Sequence, residues 1–265
     1  MNSRSNLMWI HLVFVVLFVN RVLLNENFSR FVDTGFFYFH VCKDCEQALF
    51  QKHLGSVLPQ FTGGGKKVLD FGSGPGIMSD FFDNYVGIDT DHSRIAMASR
   101  AFPEKEFVHI DMITPYGGTM PFDNHTFDIV LFNDCIHHIS NTDFHFILEE
   151  IDRILKDDGM ILIREPNRNT TWTTYIITEL LENGDYVRNG PEYAALFPKY
   201  LLMYEKRHYE YIRDYVVLGF RKNMWTDEPI FEWSRVGYMR KVMSIGVFSY
   251  IILYVLYFSV YMKLL

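Results

Sequence analysis

The sequence predicts an α/β domain: an open, doubly wound, Rossmann-like and mostly parallel sheet with helices on both faces, flanked by hydrophobic helices at the two termini. Three observations carry this expectation. Between residues 66 and 167 short apolar runs alternate with amphipathic ones, as β-α repetition requires. The first apolar run ends in a glycine-rich turn, "VLDFGSGPG" at 68–76. An acidic residue closes each of the first three runs: Asp70, Asp89 and Asp111.

The elements follow in order. "KKVLDFG" is a short strand, "IMSDFFDN" a helix and "YVGID" a second strand. "SRIAMASRAF" reads as a helix with Ile95, Ala98 and Phe102 on one side, because residues three and four apart share a helical face. "FVHID" is a third strand, "FDIVLFND" a fourth, "DFHFILEEIDRIL" an amphipathic helix and "MILIREPN" a fifth strand. Beyond Asn167, "TWTTYIITELLEN" has a helical pattern and "YVVLGF" suits a later strand. Residues 191–203 are compatible with a lid, a helix or a membrane-facing surface. No internal repeat is present, and the glycines at 63–65 form the one flexible joint.

The two ends differ from the middle, and hold much of the 17% aromatic content. Residues 242–262, "VMSIGVFSYIILYVLYFSVYM", are uncharged and as a helix would span roughly 30 Å, the thickness of a bilayer core. Tyr250, Tyr254, Tyr257 and Tyr261 would share one face of it. A pair of buried terminal strands is the alternative. Residues 7–19 are apolar apart from His11, a run marginal for spanning that suits an interfacial helix or a core helix. Arg235, Arg240 and Lys241 precede the C-terminal run and Lys263 alone follows it, which by the positive-inside rule leaves the central domain on the cytosolic side of a membrane. The expected division is 1–26 as a hydrophobic segment, 27–65 as a helical lead-in, 66–234 as the catalytic-size domain and 235–265 as a transmembrane helix.

Composition excludes some partners. A net charge of −7 with no Lys/Arg block supplies no field for a phosphate backbone, so nucleic acid is not an expected ligand. The three cysteines, Cys42, Cys45 and Cys135, are too few for a disulfide framework, and the C-x-x-C lacks the further ligands a zinc site needs. No metal is expected.

The chemistry rests on the turn. A dinucleotide fingerprint needs G-x-G-x-x-G, but its third glycine would fall at Ile77; the spacing here is G-x-G-x-G. Asp70 is poorly placed beside a pyrophosphate and well placed near a cationic ligand. Asp89 lies at the distance where α/β nucleotide sites put a carboxylate on the ribose hydroxyls, and Asp111 could accept from an adenine amino group. Three strand-end acids on one sheet edge describe an adenosine ligand without phosphates, and S-adenosylmethionine has those parts.

With these residues in order, the segment 66–167 resembles the class I S-adenosylmethionine-dependent methyltransferases. It carries a D-x-G-x-G-x-G as Asp70, Gly72, Gly74 and Gly76, the second-strand acid as Asp89 and the third-strand acid as Asp111. "FDIVLFNDCIHHI" and "EEIDRILKDDGMILIREPN" look like the matching stretches of small-molecule, lipid or quinone methyltransferases, with "LKDDGM" in place of a Pro-Gly-Gly surface turn. The resemblance implies that Gly72 and Gly74 let the backbone approach the methionyl part, that Asp70 and Asn133 lie near its amino group, that Asp89 binds ribose, and that Asp111 with Met112 holds adenine. His137 and His138 follow the fourth strand, where donor and acceptor meet in this architecture; either could take a proton from an acceptor hydroxyl, with a slight preference for His138, or both could only orient the loop.

The expected function is methyl transfer to a hydrophobic or lipid-linked small molecule at a membrane bilayer, with the catalytic domain facing the cytosol. A membrane-anchored binding or scaffold protein that keeps the fold without turnover is the alternative from another class. A dinucleotide-dependent oxidoreductase is opposed by the glycine spacing and by Asp70.

Overall fold

The structure, a computed structural model, describes residues 43, 47, 48, 50, 51, 65–111, 118–168, 185–210, 213–222 and 230–231. The apolar runs 7–19 and 242–262 and the helical pattern 171–183 lie outside the described residues, as does Met112. Among the described residues no helix is long and apolar enough to cross a membrane.

Among the described residues eight strands form one sheet: β1 (Lys67–Phe71), β2 (Asn84–Asp89), β3 (Glu106–His109), β4 (Phe127–Asn133), β5 (Leu155–Pro166), β6 (Leu201–Glu210), β7 (Arg213–Arg221) and β8 (Ile230–Phe231). Their order is β3-β2-β1-β4-β5-β7-β6-β8. The five strands from β3 to β5 are parallel, β7 is inserted antiparallel between β5 and β6, and β8 pairs parallel with β6. The order reverses between β1 and β4, the switch point outside whose C-terminal strand ends doubly wound sheets hold ligands.

Alternation along the central strands sorts their side chains into two cores. Leu69, Phe71, Ile161 and Ile163 face one side, beneath helix α2 (Asn141–Ile154). Val68, Leu131 and Leu162 face the other, with Tyr85, Phe82 and Phe50. Helix α1 (His92–Ala101) starts where the Asp91 side chain accepts from Ser93 N and Arg94 N, and it buries Ile95 and Ala98 as the pattern predicts, with Phe102 buried at its C-cap. Helix α2 starts at Ser140, whose hydroxyl accepts from Asp143 N. Its buried residues Phe144, Ile147, Leu148, Ile151 and Ile154 fall at the three- and four-residue spacing of one face. The short helix α3 (Gly190–Ala194) is closed by a reciprocal capping box between Asn189 and Glu192.

Three sequence expectations change. "IMSDFFDN" is not a helix but a chain of turns with a single 3-10 turn at Ser79–Phe81. Phe82 is already extended, and the rings of Phe81 and Phe82 pack on Phe50 at 4.9 and 6.5 Å, so contact of two adjacent aromatics with one ring replaces a helical repeat. The fifth strand begins at Leu155 rather than Met160: Leu155 pairs with Phe127 and Met160 with Ile129, and the extra residues bulge out of the ladder. The expected surface turn "LKDDGM" is this bulge, with Asp157 and Asp158 exposed. Residues 191–203 divide into α3, a turn and the start of β6, and Tyr193, Phe197 and Tyr200 of this segment belong to the core. The predicted strand "YVVLGF" is the interior of β7.

Phe197 explains why 191–203 packs inward. It is buried, stacks on Phe220 with centroids 4.5 Å apart, and meets Phe144 at 5.3 Å and Phe132 at 6.4 Å. Phe197→Ala is expected to lower unfolding free energy by about 3–5 kcal/mol in urea denaturation, as for other large-to-small core changes. A loss under about 1 kcal/mol would mean that this segment is a cover and not core.

Candidate functional site

The turn after β1 uses up its own amides. Gly72 N and Ser73 N both donate to Ile88 O at 2.9 Å, Gly74 N donates to Asp89 Oδ2 at 2.8 Å, and Gly76 N donates to Ser73 O at 3.0 Å. Pro75 has no N–H to offer. A pyrophosphate on a glycine turn is bound by outward-facing amides at the start of a helix. Here those donors point into the protein, and the 3-10 turn that follows has only three residues. Gly72 and Gly74 need glycine for different reasons. Gly72 (φ 73°) would place a Cβ 2.3 Å from Cys135 Sγ, so it lets the β1 and β4 turns touch. Gly74 has open space where a Cβ would lie, and its left-handed backbone (φ 54°) is what favours glycine there.

Asp89, at the end of β2, divides its carboxylate between two backbone amides: Oδ2 takes Gly74 N and Oδ1 takes Asp91 N, each at 2.8 Å. It therefore shapes the turn, and each oxygen retains a second lone pair for a ligand hydroxyl. Asp111 is exposed just beyond β3. Asp70 is buried, deeper than the sequence suggested. Its Oδ2 accepts from the Tyr85 hydroxyl at 2.6 Å, while Oδ1 is buried without a partner. Burial pushes the Asp70 carboxyl up to about 7, against the Tyr85 hydrogen bond and with some help from the charge of Asp89.

Asn133 ends β4, and its Oδ1 accepts from Arg164 Nη1 at 3.1 Å. The same nitrogen holds Asp134 Oδ2 at 2.5 Å, and Asp134 sits in the left-handed region at φ 52°. Arg164 is fully buried and lies over the Tyr215 ring at 4.3 Å. The structure thus brings the turn of Gly72, Gly74 and Gly76 against Asp89 at the end of β2, with Asp70 buried on Tyr85. Asn133 and the two histidines continue from the neighbouring strand.

The histidines differ. His137 is buried and its Nδ1 lies 2.6 Å from Glu165 Oε2, whereas His138 is exposed; the two rings are 4.1 Å apart. Arg188, also buried, fastens this turn from the other side by donating to Ile136 O at 3.2 Å and Ile139 O at 2.7 Å. Tyr186 N donates to His137 O at 2.9 Å, which ties the segment before α3 to the histidine turn. Sequence reasoning missed Arg164, Glu165 and Arg188. For the first two a signal existed: two charged residues continue a strand whose other members are apolar. Arg188 carried none.

The segment that carries this site also matches known proteins. Residues 69–163 match the family described as a methyltransferase domain. Over 101 residues the chain is 31% identical to an uncharacterized methyltransferase, YcgJ, of Bacillus subtilis, covering 37% of this chain and 39% of that protein. Over 109 residues it is 29% identical to a sarcosine/dimethylglycine N-methyltransferase of Aphanothece halophytica, covering 38% of each. The chain therefore spans about two fifths of the length of these curated relatives. The crystal structure of a SAM-dependent methyltransferase from Aquifex aeolicus superposes with a TM-score of 0.53 at 14% identity, covering 68% of this chain and 98% of that one, which is a likeness of fold.

Asp70 gives stability a pH signature. The folded state keeps a proton up to about pH 7 that the unfolded chain releases near 3.8. The contribution is therefore intact below about pH 4 and is lost as pH rises to 7. Asp70→Asn, which can still accept from Tyr85, is expected to be more stable than the parent above pH 7 by roughly 1–3 kcal/mol, with the gap closing toward pH 4. Asp214, whose carboxyl burial pushes up to about 6, is common to both proteins and cancels. Chemical denaturation at several pH values reads this directly; a gap that does not vary with pH would contradict it.

Proposed function

We propose that this chain, whose residues 69–163 carry a methyltransferase domain of the class I fold, transfers a methyl group from S-adenosylmethionine to a small hydrophobic or lipid-linked acceptor. The observation that carries the reading is the closed set of amides in the glycine turn, with carboxylates rather than free N–H groups around it. Such a turn suits a ligand with hydroxyls and positive charge and offers little to a pyrophosphate.

The residues present fit the donor. Asp89 would accept the ribose hydroxyls on its remaining lone pairs, and Asp111 with Met112 would hold the adenine. Gly74, with open space over its Cα, would admit the methionyl part. Asp70 would supply negative charge, since a nearby cation favours its ionised form. Asn133 would contact the methionyl end with an amide whose oxygen is held by Arg164. When bound, S-adenosylmethionine supplies an electrophilic methyl group on a sulfonium, so the protein contributes alignment, water exclusion and, for a hydroxyl acceptor, a base. His138, the exposed member of the pair, would take that hydroxyl proton on its ring.

The apolar character of the acceptor is inferred from the runs 7–19 and 242–262, which would hold the crevice near a bilayer with the domain on its cytosolic side. The membrane arm is tested by flotation: the full chain is expected to float with vesicles, and deletion of residues 239–265 to release most of it. A full chain that stays in the soluble fraction without detergent would contradict attachment.

Calorimetry tests the donor. S-adenosylmethionine and its demethylated product are expected to bind and nicotinamide dinucleotides not. Asp89→Ala should weaken binding by about 1–3 kcal/mol through loss of charge-assisted hydrogen bonds. A dinucleotide that bound more tightly would overturn the reading.

A further inference from the structure

Glu165, at the C-terminal end of β5, is fully buried, and nothing in the proposed donor site uses it. Its carboxylate gathers the whole histidine turn. Oε1 accepts from Cys135 N and Ile136 N, both at 2.8 Å; Oε2 accepts from His137 N at 3.4 Å and lies 2.6 Å from His137 Nδ1. Three converging backbone donors match an ionised carboxylate, which has acceptors only. The ring proton of His137 must then sit on Nδ1, because two acceptors cannot meet at 2.6 Å.

A carboxylate that fixes one imidazole tautomer and orientation is the arrangement by which buried acids prepare histidines for proton transfer. The second histidine is in ring contact with the first, at 4.1 Å and 42°. We propose that Glu165 is a positioning residue for the transfer: it pins the turn 135–138, fixes His137 as the Nδ1–H tautomer, and through that ring sets the orientation and charge environment of His138. The turnover part of this rests on the methyl-transfer reading; the tautomer part does not.

Other charges bear on the pair. Arg188 approaches from the segment before α3, through Ile136 O and Ile139 O, and opposes the carboxylate. Asp134 lies at the end of β4, neutralised by Arg164 at 2.5 Å. Glu165 is in direct contact with the ring of His137 at 2.6 Å, so its removal should be felt by both histidines.

Glu165→Gln separates positioning from mere anchoring. The amide keeps the shape and one oxygen for the backbone donors, but it removes the charge and can present NH2 where His137 Nδ1–H needs an acceptor. Nitrogen-15 NMR of the histidine side chains in the full chain is expected to show His137 as Nδ1–H in the parent and Nε2–H in Glu165→Gln. Turnover in the variant should fall about tenfold or more, with the acid limb of its pH profile moved down by about one unit and donor affinity within about twofold of the parent.

Should Glu165→Gln fail to fold, the tautomer of the parent still decides the pairing. His137 found as Nε2–H in the parent would overturn the proposal. So would a folded Glu165→Gln with unchanged turnover and pH profile, which would leave the carboxylate as a structural tie. A chain that transfers no methyl group but has the Nδ1–H tautomer would refute the activity and leave the pairing standing.

Discussion

Closure of the glycine turn onto the end of β2 is the constraint on which the rest of the site depends. Ile88 O takes two amides and the Asp89 carboxylate a third, so the turn is held by its neighbouring strand and not by a ligand. This fixes where Gly74 opens to space and where Gly72 meets Cys135. Through that second contact the β1 turn and the histidine turn after β4 share a wall. The topology makes it possible: parallel strands deliver the ends of β1, β2, β4 and β5 to one edge, on both sides of the point where strand order reverses.

The same edge concentrates buried charge. Asp70, Arg164 and Glu165 are each nearly or fully inaccessible, a situation unfavourable for an unpaired ion. Arg164 is compensated by Asn133, Asp134 and the face of Tyr215, and Glu165 by three amides and a histidine. Asp70 is the exception, with one oxygen on Tyr85 and the other unpartnered, and its carboxyl is correspondingly pushed up. A cationic ligand above the turn would relieve that imbalance.

Much of this was legible in the sequence for physical reasons. Strand-helix alternation follows from burial of both faces of a parallel sheet, and Asp89 ends β2 as its apolar run predicts. Asp89 and the histidine turn fell where spacing put them. The failures are equally specific. Helical periodicity overruled the pull of two adjacent phenylalanines at 81–82, and no local pattern revealed that Phe197 belongs under β7. The depth of Asp70 depends on a partner fifteen residues away, which linear reading does not see. Glu165 was visible as a charge in an apolar strand, yet its four contacts arise only when β5 is laid beside β4. The terminal runs and Met112 fall outside the described residues, so the membrane expectation stands on sequence alone.

Methyl transfer itself is the claim the whole account stands on. It is tested most directly by incubating the purified full chain with donor labelled in its methyl group and with a total lipid and small-molecule extract. The account predicts label in the organic-soluble fraction, dependent on folded protein and lost when Asp89 is replaced. Donor bound at the turn with no label in either the organic or the aqueous fraction would contradict it and leave a binding protein on a methyltransferase fold.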